Sequence, residues 1–260
     1  MRFILKMKKI GIIGYGWLGS RIGKSFAENF EIYTTTTSPQ KLEDIRSQGI
    51  QADLAVFNED EKQFPDPWNI APELDVIIIT VPFSERRTSK EILQKKLSNL
   101  ISFIGKFEKQ LFFMSTTSVY PYESGIFKEE MLPSENVFTE NKIKEAFPQI
   151  NILRLGGLMG DSRLLKNFKI SDLSGVVNHI HYEDISAVIL KMIEKDVRGK
   201  VYNVVAPLHP LKQEVIAAQN NQHINDVQYN DKERIISSEK LITELDFTFI
   251  HPDPKNFHLD

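Results

Sequence analysis

The chain has no cysteine among its 260 residues. That excludes disulfides, thiolate zinc centres and a cysteine nucleophile together. It has no marked excess of either charge: 32 basic and 35 acidic side chains leave a formal charge of −3. Nothing electrostatic therefore points to nucleic acid or an anionic membrane surface as partner. No apolar run approaches the length of a membrane span. The basic start from Met1 to Lys9 holds an apolar stretch too short for a signal peptide. Internal repeats and low-complexity tracts are absent. These absences leave the expectation of a cytoplasmic protein, monomer or homodimer, whose partner is a small molecule. The length allows one large domain, or a domain with a smaller lobe.

The most specific pattern present is a short apolar strand ending in Ile12-Ile13, followed by Gly14-Tyr15-Gly16-Trp17-Leu18-Gly19 and a helix. Each glycine of G-x-G-x-x-G has a task. Gly14 permits a tight strand-to-helix turn, Gly16 lets backbone approach a pyrophosphate, and Gly19 lets the helix pack closely on the sheet. The amides of Trp17 and Leu18 would then face the phosphates at the positive end of the helix. Gly19, Gly23 and Ala27 recur at four-residue spacing beside an apolar row of Leu18, Ile22 and Phe26, as a closely packed helix requires. The bland alternative is a glycine-rich turn without a ligand.

Strand-like and helix-like segments alternate over the first 155 residues. Strands are expected at 9–13, 31–35, 51–56, 76–81, 111–114 and 150–155, with a helix at 89–105. Several strands are continuous apolar or β-branched runs, as expected of parallel strands covered on both faces. This predicts an α/β protein with a doubly wound parallel sheet, a Rossmann fold, and a small C-terminal substrate lobe. Residues 1–155 are read as the dinucleotide-binding core, completed by about 176–205. Residues 156–175 and 206–260 are read as the smaller substrate-side lobe. The acidic, proline-bearing stretch 58–74 reads as a surface loop and 156–160 as a loop. Strands at 176–182 and 201–205 and helices at 184–194, 210–221 and 238–245 follow.

The second strand carries no acid where an NAD site usually places one, about twenty residues beyond the fingerprint. It ends instead in Thr34-Thr35-Thr36-Thr37-Ser38. A run of hydroxyls suits the 2′-phosphate of NADP better than a bare diol, which favours NADP over NAD; threonines are equally good strand formers. Thr34, Thr35 and Thr36 are therefore candidate cofactor residues. Thr80-Val81-Pro82 and Ser115 are candidates too, because they fall at strand ends, where ligands of such sheets bind.

The second specific signal is Phe112-Phe113-Met114-Ser115-Thr116-Thr117-Ser118-Val119-Tyr120. With the fingerprint, it resembles the NAD(P)-dependent epimerase/dehydratase family, the extended short-chain dehydrogenase/reductases, whose corresponding strand ends in a Ser/Thr run and Val-Tyr-Gly. Pro121 replaces that glycine here. The resemblance continues in Leu153-Arg154 through Gly160, in His181-Tyr182-Glu183-Asp184-Ile185-Ser186-Ala187, in Val201-Tyr202-Asn203-Val204, and from Ser238 to Phe247. It implies an oxidoreductase or epimerase acting on a sugar-nucleotide-like or other polar carbonyl substrate, with Thr116 bonding the substrate oxygen.

The family's Y-x-x-x-K helix has no tyrosine here. The corresponding segment, Asn136 to Glu145, pairs Phe138 with Lys142 in one register and Glu140 with Lys144 in another. If the chain is catalytic, Tyr120 is the nearest replacement for the missing acid, with Tyr122 beside it and Lys142 or Lys144 lowering its pKa. If it is not, it is a dinucleotide-binding sensor or scaffold. His179 and His181 share a strand face, with Glu183 and Asp184 following, but the spacing supplies no third metal ligand, so no metal site is assigned. Arg154, Arg163 and His209 are candidates for gripping an anionic substrate.

Overall fold

The computed structural model describes residues 7–59, 65–85, 88–132, 137–170, 172–222, 224 and 233–259. Residues 60–64 of the expected loop, and Asn136 at the expected start of the helix after Val-Tyr, lie outside the described residues. The chain forms two compact units. The first comprises 1–115, 134–152 and 196–200; the second comprises 116–133, 153–195 and 201–260.

The strands of the main sheet are β1 (Lys9–Ile13), β2 (Glu31–Thr36), β3 (Gln51–Leu54), β4 (Val76–Ile79), β5 (Gln110–Thr116), β7 (Asn151–Leu155) and β10 (Val201–Val204). They run in the order β10-β7-β5-β4-β1-β2-β3, a parallel seven-stranded sheet with helices α1 (Trp17–Phe26), α2 (Pro39–Ser47), α3 (Lys90–Ile104), α4 (Phe138–Ala146) and α5 (Tyr182–Glu194) in the connections. Register is set by runs such as Ile10–Ile13 against Val76–Ile79. Every residue of β4 and β7 is buried, which a strand covered on both faces demands. Chain order reverses at β1, with β2 to one side and β4 to the other. That reversal places the ligand-binding crevice of such a sheet at the carboxyl ends of β1 and β4.

Local signals account for the helix ends. Ser38 accepts from Lys41 N, with Pro39 in the first turn of α2. Ser89 caps α3, and Gly105 ends it at a φ of +67°, a conformation that favours glycine. α2 is highly charged and buries only Leu42 and Ile45, so its apolar signal is faint.

Three expectations are corrected. The stretch 58–74 is not merely a surface loop: Trp68 is only 3% exposed, and Ala71 and Leu74 are buried. Trp68 stacks on Phe103 and donates Nε1–H to Asp53 at 2.9 Å. Gly11 makes room for it, since a Cβ there would lie 2.8 Å from the indole. Second, 156–160 contains a strand, β8 (Gly157–Met159). Third, the strand expected at 176–182 shrinks to β9 (His179–His181) and pairs with β8, outside the main sheet.

The second unit also contains the parallel pair β6 (Gly125–Phe127) and β11 (Arg234–Ile236), α6 (Lys212–Gln219) and α7 (Glu239–Leu245). Met159, Leu165, Val177, Ala206, Val215 and Phe257 form one of its apolar clusters. Among the described residues, no helix is long and apolar enough to cross a membrane.

Candidate functional site

The fingerprint turn is built from the end of β1. Gly14 has a φ of +99°, and a Cβ there would stand 2.8 Å from Val81 Cγ1, so only glycine fits without strain. Two neighbouring strands hold it. Thr80 Oγ1 donates to Gly14 O at 2.6 Å, and Gly14 N donates to Thr35 Oγ1 at 3.0 Å. At Gly19 a Cβ would come within 2.1 Å of Gly14 O, which brings α1 hard against the turn.

Gly16 differs from both. It is exposed, and a Cβ there would meet nothing within 4 Å. It is the N-cap residue of α1, makes no side-chain cap hydrogen bond, and is followed by no acid in the first turn. The opening amides of a helix have no partner within it. The result is a glycine that leaves open space beside the backbone at the positive end of α1. Those features fit a pyrophosphate. Leu18 is buried behind the turn and Trp17 is half-buried. Arg21 stacks 4.0 Å over the Trp17 ring and donates to Trp17 O.

The other candidate cofactor residues divide by exposure. Thr34 and Thr35 are buried; Thr34 donates to Ile12 O at 2.7 Å, while Thr35 serves the glycine turn. Thr36 Oγ1 accepts from Ser38 N. The exposed hydroxyl of the run belongs to Thr37. Successive threonines of β2 point to opposite faces of the sheet and are buried on both, as in a strand covered on either side. Val81 is half-buried and Pro82 exposed just beyond Thr80.

At the end of β5, Ser115 donates to Glu140 Oε1 at 2.7 Å, and Glu140, on α4, is only 1% exposed. Thr116 is exposed; its Oγ1 accepts from Ser118 N at 3.1 Å and caps the turn Thr117–Val119. Tyr120 is 1% exposed. Its hydroxyl donates to Asn203 Oδ1 at 2.8 Å and accepts from Arg154 Nη1 at 2.9 Å. Arg154 also donates to Glu129 O, and Asn203 N donates to Glu129 Oε1 at 2.7 Å. Burial pushes the Tyr120 phenol up, outweighing the pull of Arg154. This is the setting of an anchoring tyrosine rather than a proton donor facing a ligand. Lys142 sits on the outer side of α4, paired with Glu145 at 2.7 Å.

No family model matches the chain. Protein YeeZ of Escherichia coli (strain K12), whose name states no activity, is 26% identical over 270 residues, covering 95% of this chain and 98% of that protein. The dTDP-glucose 4,6-dehydratase of Bacillus anthracis str. Ames, solved in complex with NAD, superposes with a TM-score of 0.68 at 17% identity, covering 97% of this chain and 95% of that one. The UDP-glucuronic acid 4-epimerase of Bacillus cereus, solved with UDP-glucuronic acid and NAD, gives 0.67 at 16% identity, with 96% of both chains covered. The chain has the epimerase/dehydratase fold.

Several polar residues escaped the reading of the sequence because their partners are remote in the chain. Glu85 caps α4 by accepting from Thr139 N at 2.9 Å. Arg234 donates to Pro121 O and Thr117 O and lies 5.1 Å over the Tyr122 ring. Tyr122, Asn178, Lys212 and Arg234 line an open cavity of about 620 Å³ in the second unit.

The expected anion-gripping residues each hold neighbouring groups: Arg154 the Tyr120 hydroxyl and Glu129 O, Arg163 Leu158 O, and His209 Val177 O. His179 packs against Gly157, and its Nδ1 has no hydrogen-bond partner among the described residues. Burial, helped by the charge of Lys212, pushes its pKa down to about 4. His181, fully buried, caps α5 by accepting from Glu183 N.

Proposed function

We propose that this chain binds NAD(P) through the backbone of Gly14 to Gly19 and acts as an oxidoreductase or epimerase on a sugar-nucleotide-like or other polar carbonyl substrate. One observation carries the reading: a side chain at Gly16 would meet nothing within 4 Å, whereas Gly14 and Gly19 leave no room for one, so a ligand can approach the backbone of the turn at Gly16. Such a cofactor supplies the hydride acceptor and donor; the chain holds and orients it. The amides of Trp17 and Leu18 take the pyrophosphate, and Thr116, exposed at the end of β5, offers a hydroxyl to a substrate oxygen. The cavity that Arg234 and Lys212 line also carries Glu123 and Asp172, with Lys212 paired to Asp172 at 3.2 Å, so its lining is of mixed charge; its volume is typical of small-molecule sites.

The same reading prefers NADP(H) to NAD(H). No acid stands at the end of β2 to repel a 2′-phosphate, and Thr37 is exposed there with Lys41 close in sequence. A second reading, a sensor that binds the dinucleotide without turning it over, is favoured by the engagement of the Tyr120 hydroxyl in a buried network.

Calorimetric titration with the oxidised and reduced forms of both cofactors tests binding; no measurable affinity for any of them overturns the proposal. Equal affinity, or a preference for NAD(H), removes the NADP assignment. Incubating the loaded protein with nucleotide sugars, while following the nicotinamide absorbance and the sugar stereochemistry, separates enzyme from sensor.

A further inference from the structure

The second unit holds a cluster that dinucleotide binding does not use. His181 ends β9, Glu183 lies in the first turn of α5, and His251 lies in the C-terminal segment. One nitrogen of each imidazole and one carboxylate oxygen all lie within 4.8 Å of one another. Glu183 Oε2 stands 2.7 Å from His251 Nε2 and 3.9 Å from His181 Nδ1. The two imidazoles are in contact, with ring centroids 3.9 Å apart at 49°. The residue spacing alone supplied His181 and Glu183; the third donor comes from a segment almost seventy residues further on.

We propose that His181, Glu183 and His251 bind a first-row transition-metal dication, Zn2+ foremost, which ties the C-terminal segment to the β9–α5 turn. The donor set is two nitrogens and one carboxylate oxygen, the combination that suits Zn2+ and its neighbours rather than Mg2+ or Ca2+. Ligand bonds of about 2.0–2.2 Å put donors about 3.3 Å apart in a tetrahedral site. The two Glu183 separations bracket that figure, so the adjustment falls on the partly exposed Glu183 side chain, and the ion takes the lone pair with which His181 Nδ1 accepts from Glu183 N at 3.4 Å. The metal takes the place of the proton shared between His251 and Glu183, and water completes its shell on the side where Glu183 is exposed.

The surroundings hold the donors in place. Asp184, fully buried, accepts the backbone N–H of Ile250 at 2.6 Å and of His251 at 3.1 Å, so His251 is positioned from its own backbone. His181 is enclosed by Gly160, Tyr182 and Phe257: a Cβ on Gly160 would come within 2.5 Å of its Nε2, and the two rings lie 4.6 and 5.4 Å away. Two of the three ligands are therefore oriented before any ion arrives, which is how supporting groups raise metal affinity.

The test is calorimetric titration of the whole chain, stripped with chelator, with Zn2+ alone, and a parallel titration with Co2+ read by its visible absorption. One ion per chain is expected, with a four-coordinate cobalt spectrum. Glu183→Gln and His251→Gln keep side-chain volume and hydrogen-bonding capacity, and their thermal melting without metal checks that they fold. Each should weaken Zn2+ by more than the roughly 10- to 100-fold that changes to supporting groups produce, while His209→Gln should leave it unchanged. Absence of stoichiometric binding to the wild-type chain overturns the proposal, as does wild-type affinity in both Glu183→Gln and His251→Gln.

Discussion

The glycine turn of the first unit and the Tyr120 network of the second are both tightly ordered, by opposite means. The turn is ordered by exclusion: side chains are missing where β1, β4 and α1 approach one another, and what remains uncovered is backbone. The network is ordered by saturation: the Tyr120 hydroxyl both donates and accepts, and Asn203 uses its side-chain oxygen, side-chain amide and backbone N–H. A site that recognises a ligand must leave donors available, whereas a buried polar cluster must leave none. The contrast separates a binding surface from a structural anchor within one chain.

The comparison breaks most severely at Gly19→Val. The added atoms would meet Gly14 O, a backbone atom that cannot rotate away, so stability should fall by about 3 kcal/mol. Urea denaturation measures that loss, and dinucleotide affinity should go with it. Tyr120→Phe comes next, with an expected loss of about 2 kcal/mol because Arg154 and Asn203 each lose a buried partner. Dinucleotide affinity in that variant should stay at the wild-type value; a large drop would mean that Tyr120 belongs to the binding surface after all.

Acidification acts through a different residue. The folded-state pKa of His179 is lowered to about 4 from 6.5, so the unfolded chain takes up its proton first as pH falls. The stability this contributes is complete above pH 6.5 and is lost as pH drops toward about 4. His179→Gln should flatten the urea midpoint across that window. The smallest change in stability should come from Gly16→Val, about 1 kcal/mol for a poorer N-cap, because the space beside it is open. Yet this variant should abolish dinucleotide binding. Stability and binding would then be separated at two glycines three residues apart.

Much of the first unit was legible in the sequence. β1 falls at its expected residues, and β2 is longer by one. Runs such as Val76–Ile79 and Phe112–Phe113 have the hydrophobicity that burial on both faces requires. β8 escaped because Gly156-Gly157-Leu158-Met159-Gly160 has the composition of a turn, and only pairing with His179–His181 makes it a strand. The Tyr120 network and the His181–Glu183–His251 cluster were hidden for a different reason. The partners of the Tyr120 hydroxyl lie 34 and 83 residues away, and His251 lies 68 residues beyond Glu183; no local period reports contacts that only the finished fold creates.

The two units are interleaved, each assembled from three stretches of chain. On the ribosome, the last stretch of the first unit, 196–200, emerges only after two of the three stretches of the second have been made. Neither unit is therefore a single N-terminal module completed before the other begins to be translated. Its halves cannot be traded by gene fusion as beads on a string can, and a truncation anywhere before residue 196 leaves both units unfinished.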